Sequence, residues 1–373
     1  MKTFNRSTVL PYHSQLKSKT NSGENHPIAR FTFRALLVCL TLSLPAVSHA
    51  QADIHFSQFY ETSILRNPAL TGVFSDDYKV GAYYRNQWSS ISNPFSTGLI
   101  SAESHVAVSR ASEDFFSFGI LGYEDKAGSI DQKITAFYPA VNYNKSINPN
   151  HNTFISAGFT GGYVQYSFDP SLATFNNQYM PGLGFSPNNP TMENLPNASL
   201  SMWDLGAGLN FNTSSGVNNN VTYIIGFSGY HFTQPKFSYY QSDNVKEYIR
   251  LNANGAIGFS VNDLVSMQFQ ANYADEGTYR EIIFGGMVNW TGASLGDKTI
   301  FVLSGGLYYR YQDAIIPVVK VSYKRMAIGF SYDVNVSTLK EATDLAGGYE
   351  VTLFVTGDFT DKGVMKKTVC PKF

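Results

Sequence analysis

Residues 264–277 read LVSMQFQANYADEG, and from Leu264 to Tyr273 they alternate. Val265, Met267, Phe269, Ala271 and Tyr273 fall on one side, and Ser266, Gln268, Gln270 and Asn272 on the other. Side chains of a strand point alternately to opposite faces, so one face is apolar and the other amide-rich. A soluble sandwich would bury the apolar face in its core. A membrane barrel would turn that face to lipid and line its inside with the amides.

The rest of the chain decides between these readings. In YIRLNANGAIGFSV, Leu251, Ala253, Ile257 and Phe259 oppose Arg250, Asn252 and Asn254. FISAGFTGGYV, VTYIIGFSGY and TIFVLSGGLYYRY repeat the pattern. Fourteen such segments begin near Tyr78, Gly98, Phe115, Ile130, Thr153, Met202, Val221, Glu247, Leu264, Thr278, Thr299, Ile315, Met326 and Gly348. An even number of segments of roughly ten residues, many ending in aromatics, is the signature of an outer-membrane barrel. The polar faces carry Gly, Ser, Asn and Gln where a soluble sheet would carry Lys and Glu. Connections alternate in length as well. VNDL and Lys324–Arg325 are short, with KSINPNHN and TSSGVNNN as modest turns on the same side. The long polar stretches between Asp169 and Ser199, Phe232 and Glu247, and Ser337 and Gly347 fall on the other side. The expected fold is an all-β transmembrane barrel of about 14 antiparallel strands, with 12 or 16 as alternatives.

Composition agrees. Charged residues make up only 15% of the 373, against a usual quarter, while aromatics reach 15%. Residues 1–50 read as a secretory signal: six basic residues, the apolar run ALLVCLTLSLPAV, and small Ser48 and Ala50 before Gln51. That run is shorter than the roughly 20 residues of a spanning helix. Its basic region is longer than usual, and no Met follows Met1 before Met180. Without the leader, 21 basic residues stand against 27 acidic ones, a formal charge of about −6. No basic patch emerges, which argues against a nucleic-acid partner. The expected layout is a signal over 1–50, a periplasmic or plug segment over 51–77, the barrel over 78–359, and a periplasmic tail over 360–373. With an even strand count, both flanking segments begin in the periplasm. Integral outer-membrane localisation follows, with outer-membrane lipid around the barrel.

No chemistry stands out. His55, His105, His151 and His231 remain after the leader, none at metal-ligand spacing with another, and no CxxC, HExxH or GxSxG occurs. The expectation is no catalytic residues, no metal and no cofactor. Glu103 and His105 share a strand face and could form an acid–base pair, as in outer-membrane lipid hydrolases. Nothing supplies an oriented nucleophile beside them, so a lumenal hydrogen bond is the plainer reading. The Gly-rich GLGFSP after Pro181 lies in a loop, not between strand and helix, and so is a weak phosphate cradle. Cys39 leaves with the leader. Cys370 then has no intramolecular partner and is either inert or available to another protein.

Several stretches go beyond periodicity. HFSQFYETSILRNPALTG (55–72) is followed by YKVGAYYRNQWSSISNPFSTG (78–98), and later come RYQDAIIPVVKVSYKRMAIGFSYDVNVSTL (310–339) and the terminal CPKF. Together they closely resemble the PorP/SprF family of Bacteroidota outer-membrane proteins, over essentially the whole chain after the leader. The resemblance implies a barrel tied to type IX secretion and gliding motility. Its implied role is non-enzymatic: docking periplasmic subunits, or assisting export of a particular adhesin. Implied partners are translocon, periplasmic ring or lipoprotein components, and a secreted adhesin cargo. A channel or transporter for a small solute is the alternative.

The residues themselves suggest where partners or a plug would bind. Phe56, Phe59, Tyr60, Asn67 and Pro68 make the first segment too apolar for a solvated tail. It would plug the lumen or cover a periplasmic partner. Arg85, Asn86, Gln87 and Trp88 end the first strand; Trp88 reads as an interfacial anchor, and the three polar residues as a pin for a loop inside the lumen. Tyr332 and Asp333 read as a packed lumenal contact, and Cys370 as a partner candidate.

Overall fold

The computed structural model describes residues 53–89, 93–108, 113–193, 198–239, 245–295, 298–338 and 340–359. Fourteen antiparallel strands close into one barrel. They are β1 (Tyr78–Gln87), β2 (Phe95–Ala107), β3 (Phe115–Ala127), β4 (Gln132–Asn148), β5 (Thr153–Ser167), β6 (Ser199–Ser215) and β7 (Val221–Tyr230). Then come β8 (Arg250–Ser260), β9 (Val265–Glu276), β10 (Tyr279–Leu295), β11 (Lys298–Arg310), β12 (Ala314–Tyr323), β13 (Met326–Asn335) and β14 (Ala346–Gly357). Each follows its neighbour in sequence, and β14 closes on β1 from Tyr78↔Gly357 to Gln87↔Gly348. Every expected strand start lies within three residues of an observed one. KSINPNHN and TSSGVNNN are less turn than expected: β4 continues to Asn148 and β6 to Ser215, and the hydroxyl of Thr213, in an expected turn, meets that of Thr153 at 2.8 Å.

Alternation along these strands separates the faces. Phe269 is 51% exposed and Leu251 54%, while Gln268, Gln270, Asn252 and Asn254 are buried. The exposed apolar face wraps the outside, where lipid replaces water. Aromatic pairs mark its two edges: Tyr163 against Trp203 at 5.3 Å, and Trp290 against Phe301 at 6.3 Å. One end carries only short connections, among them 149–152, 216–220, 261–264 and 324–325; the other carries the long 168–198 and 231–249 beside tight turns such as 277–278 and 311–313. In outer-membrane barrels short turns face the periplasm and long loops face outward, which names the inner and outer ends. Among the described residues no helix is long and apolar enough to cross a membrane.

An arginine on the lipid face costs roughly 2–4 kcal/mol at mid-bilayer. Phe269→Arg should therefore lower the folded, heat-modifiable fraction in vesicles far more than the neighbouring Gln268→Arg. Equal losses at the two positions would contradict the assignment of faces.

Candidate functional site

The first described residues do not lie below the barrel. Asp53–Asp77 runs through the lumen, from Arg250 and Glu276 at the outer end to the start of β1 at the inner end. Rather than starting in the periplasm, the described part of this segment starts at the outer end. It is folded as three short helical turns, Phe59–Glu61, Ser63–Arg66 and Pro68–Leu70. Short helices leave many backbone groups unpaired, and those turned away from solvent are left to the wall.

The wall supplies the partners. Glu350 of β14 accepts the backbone N–H of Ser57 at 2.5 Å and of Gln58 at 2.8 Å. The Tyr83 hydroxyl donates to the Glu61 carbonyl at 2.8 Å. The Arg66 carbonyl accepts from the Ser228 hydroxyl at 2.8 Å and from the Asn252 amide at 3.2 Å. The Asn142 amide donates to the carbonyls of Ala69 at 2.9 Å and Thr71 at 3.0 Å. Glu103 accepts the Gly72 N–H at 2.8 Å and the Ser63 hydroxyl, while His105 Nδ1 lies 3.1 Å from the Gly72 carbonyl. Both members of the conceivable acid–base pair thus hold the plug.

Charges concentrate where the barrel closes. Arg85 of β1 and Glu350 of β14 are direct partners across the seam and form an ion pair. Arg85 also reaches Asp333 at 2.9 Å, and Asp333 meets Arg310 at 3.1 Å. The Ser57 hydroxyl sits inside this group: it donates to Asp333 at 2.6 Å and accepts from Arg85 at 2.6 Å. Lower down, Glu61 pairs with Lys79 at 2.9 Å and with Lys320.

Asn67 and Pro68 need missing side chains opposite them. A Cβ on Gly158 would collide with the Pro68 backbone, and one on Gly208 with the Asn67 side chain. Asn67 then caps its own turn through the Ala69 N–H at 2.9 Å and donates to Asn254 at 3.0 Å.

The outer end is latched by the 231–249 connection. His231 Nδ1 lies 3.1 Å from Asp204 and 3.6 Å from Glu247, and its Nε2 lies 3.6 Å from Asp53. Burial works against a charged imidazole, but the carboxylates of Asp204, Asp53 and Glu247 around it outweigh that and push His231 up to about 11. Burial pushes the Glu247 carboxyl up to about 7, against the pull of His231. Ring contacts tie the same connection to its neighbour: Tyr166 to Phe237 at 4.8 Å and Phe168 to Tyr239 at 4.9 Å.

The profile of the type IX secretion system membrane protein PorP/SprF matches residues 48–354. The chain belongs to the PorP/SprF family. Comparison with curated proteins finds no match. Among solved structures, a Pseudomonas aeruginosa FadL homologue is similar at 11% identity and a TM-score of 0.47, covering 79% of this chain and 93% of that one. The P. putida toluene transporter TodX is similar at 9% identity and a TM-score of 0.45, covering 79% and 93%. The CymD monoaromatic hydrocarbon channel has 8% identity and a TM-score of 0.46, covering 85% and 95%.

The residues singled out in this PorP/SprF sequence scatter more than expected. Phe56 packs near Tyr83 at 6.0 Å, Phe59 meets Tyr308 at 5.8 Å, and Tyr60 stacks on Tyr308 at 5.2 Å. With Asn67 and Pro68 they lie in the plug, and Arg85 and Asp333 meet in the seam group. Asn86 and Tyr332 do not line the lumen. Alternation puts Asn86 on the outward face beside the Tyr84 hydroxyl at 3.5 Å, and Tyr332 between the buried Ser331 and Asp333, opposite Tyr349. Gln87 shares the parity of Arg85 and is half-buried. Trp88 takes a positive φ of 54° and packs edge-on against Phe95 at 4.9 Å, at the outer end. Cys370 lies outside the described residues. The sequence reading missed Glu350, Arg310, Glu61, Lys79, Lys320 and His231. Five of them share one signal: a charge on the lumenal parity, or in the plug, of a chain otherwise poor in charge.

Breaking a buried pair from one side costs about 3–5 kcal/mol. Glu350→Ala should lower stability by that order in urea denaturation and open the plug to protease. Glu350→Leu with Arg85→Met should cost less, because neither charge is stranded.

The latch should loosen as pH rises. Closed, Glu247 keeps its proton up to about 7; released, it loses it near 4.5. Its contribution is complete below the lower value and lost as pH passes the upper one. His231 acts in the same direction, its contribution waning from 6.5 toward about 11. Hydrogen exchange in residues 231–239, corrected for intrinsic rates, should rise between pH 4.5 and 7, and Glu247→Gln should flatten that rise.

Proposed function

We propose that this PorP/SprF barrel is a non-enzymatic docking component of the type IX secretion or gliding machinery. It holds periplasmic subunits at the outer membrane, or assists export of a particular adhesin. The observation that carries this reading is the filled lumen. A solute pore needs a continuous path, and here Asp53–Asp77 occupies it, stitched to the wall by the ion pairs Glu61–Lys79 and Asp53–Arg250 and by the Ser57 hydroxyl between Arg85 and Asp333. Work is then left to the two ends. The outer end offers large apolar side chains to a protein partner: Leu183 is 84% exposed and Met192 83%, on the 168–198 connection. The inner end offers its short turns and rim to subunits in the periplasm.

The test is co-purification. A tag in the 168–198 connection, gentle solubilisation and mass spectrometry should recover type IX subunits or a secreted adhesin. A solitary barrel from a membrane with the machinery intact would count against docking. Ion conductance by that same sample in planar bilayers would put the solute-channel reading ahead.

A further inference from the structure

A cavity of about 310 Å³ opens at the inner end, between the plug and the wall. The plug lends it Tyr60, Arg66 and Phe74, and the wall lends it Ile224 and Gln270. Arg66 ends the short helix Ser63–Arg66, and its carbonyl is fixed by Ser228 and Asn252, so the root of its side chain is pinned. Its guanidinium carbon lies 5.7 Å from the Phe59 ring centre.

Among the described residues no carboxylate pairs with Arg66. Glu61 is taken by Lys79 and Lys320, and Glu103 by Ser63 and the Gly72 N–H. Arg66 Nε is buried without a partner, and so are the Tyr60 hydroxyl and Gln270 Oε1. Arg66 is half-buried with no carboxylate bonded to it, and its planar fork matches a carboxylate. Lys324 and Arg325 stand exposed at the mouth, where they would draw an anion in. A second hollow at the same end, about 650 Å³, is lined by Asn and Ser with Asp263 and no cation. The first also carries the carboxylates Glu61, Asp76 and Glu103, but of the two it alone sets a guanidinium free of carboxylate partners beside the apolar Phe74 and Ile224.

We propose that the cavity beside Arg66 binds a carboxylate with a short apolar body, presented as a free small molecule or as the C-terminus of a peptide. The carboxylate accepts from the Arg66 fork, and the body lies against Phe74 and Ile224. This goes beyond the docking role and stands without it, because purified barrel alone should bind.

The test is calorimetric titration of the whole protein in dodecyl maltoside with N-acetylphenylalanine and with its uncharged amide. The acid should bind about tenfold or more tighter than the amide. Arg66→Gln should abolish that difference, while Asn262→Ala, beside the second hollow, should leave it intact. Heat-modifiable migration checks that each variant is folded. A pentapeptide ending in phenylalanine with a free carboxylate separates the sources: binding as tight as the small acid supports a chain terminus, and binding of the small acid alone supports a free carboxylate. Equal affinity for acid and amide, no binding of either, or an unchanged preference in Arg66→Gln would overturn the proposal.

Discussion

A segment threaded through a barrel gives up water along much of its length, and the backbone N–H and C=O groups that its own short turns leave unpaired must be met by the wall. The lumen is built around that demand. Carboxylates at Glu350 and Glu103 receive N–H groups, while hydroxyls and amides at Tyr83, Ser228, Asn252 and Asn142 reach carbonyls. This explains why the inward faces are rich in small polar side chains and carry few charges. An amide or hydroxyl can satisfy a backbone group without importing an ion that needs its own partner.

Most of the charges that enter come in groups with their counter-ions. Arg85 and Arg310 stand among Glu350, Asp333 and Asp313, and Lys79 and Lys320 bracket Glu61. The plug's apolar side chains fill the spaces between these groups. Phe56 and Ile64 belong to one lumenal cluster with Leu99 and Leu121, and Phe59 to another with Ile283 and Ile316. The ion pairs fix position, and the aliphatic and aromatic contacts fill volume.

Much of this was legible in the chain. Period-two alternation over LVSMQFQANY named the faces correctly, because lipid on one side and plug on the other impose opposite chemistry on neighbouring residues. Phe56, Phe59 and Tyr60 stood out as too apolar for a solvated tail, and Arg85 and Asp333 as polar residues with a structural task. Which residues would meet was not legible. Arg85 and Glu350 lie 265 residues apart, and only closure of the barrel brings them together. Asn86 and Tyr332 were misplaced for a simpler reason: neighbours in a strand face opposite ways, so a polar run cannot all point inward. Gly158 and Gly208 carried no signal at all, since their value lies in the Pro68 and Asn67 atoms that fill the missing side-chain space.

The seam has a consequence for how the molecule comes into being. The plug precedes β1 in the chain, but the carboxylate that receives Ser57 and Gln58 belongs to β14, the last barrel strand in chain order. Until that strand arrives, two N–H groups lack their acceptor and Arg85 has Asp333 but not Glu350. Zipping the cylinder shut therefore also completes the seating of its stopper. A barrel missing its final strand would have both an open edge and a loose plug. Completeness of the chain is checked by the same carboxylate that holds the finished protein closed.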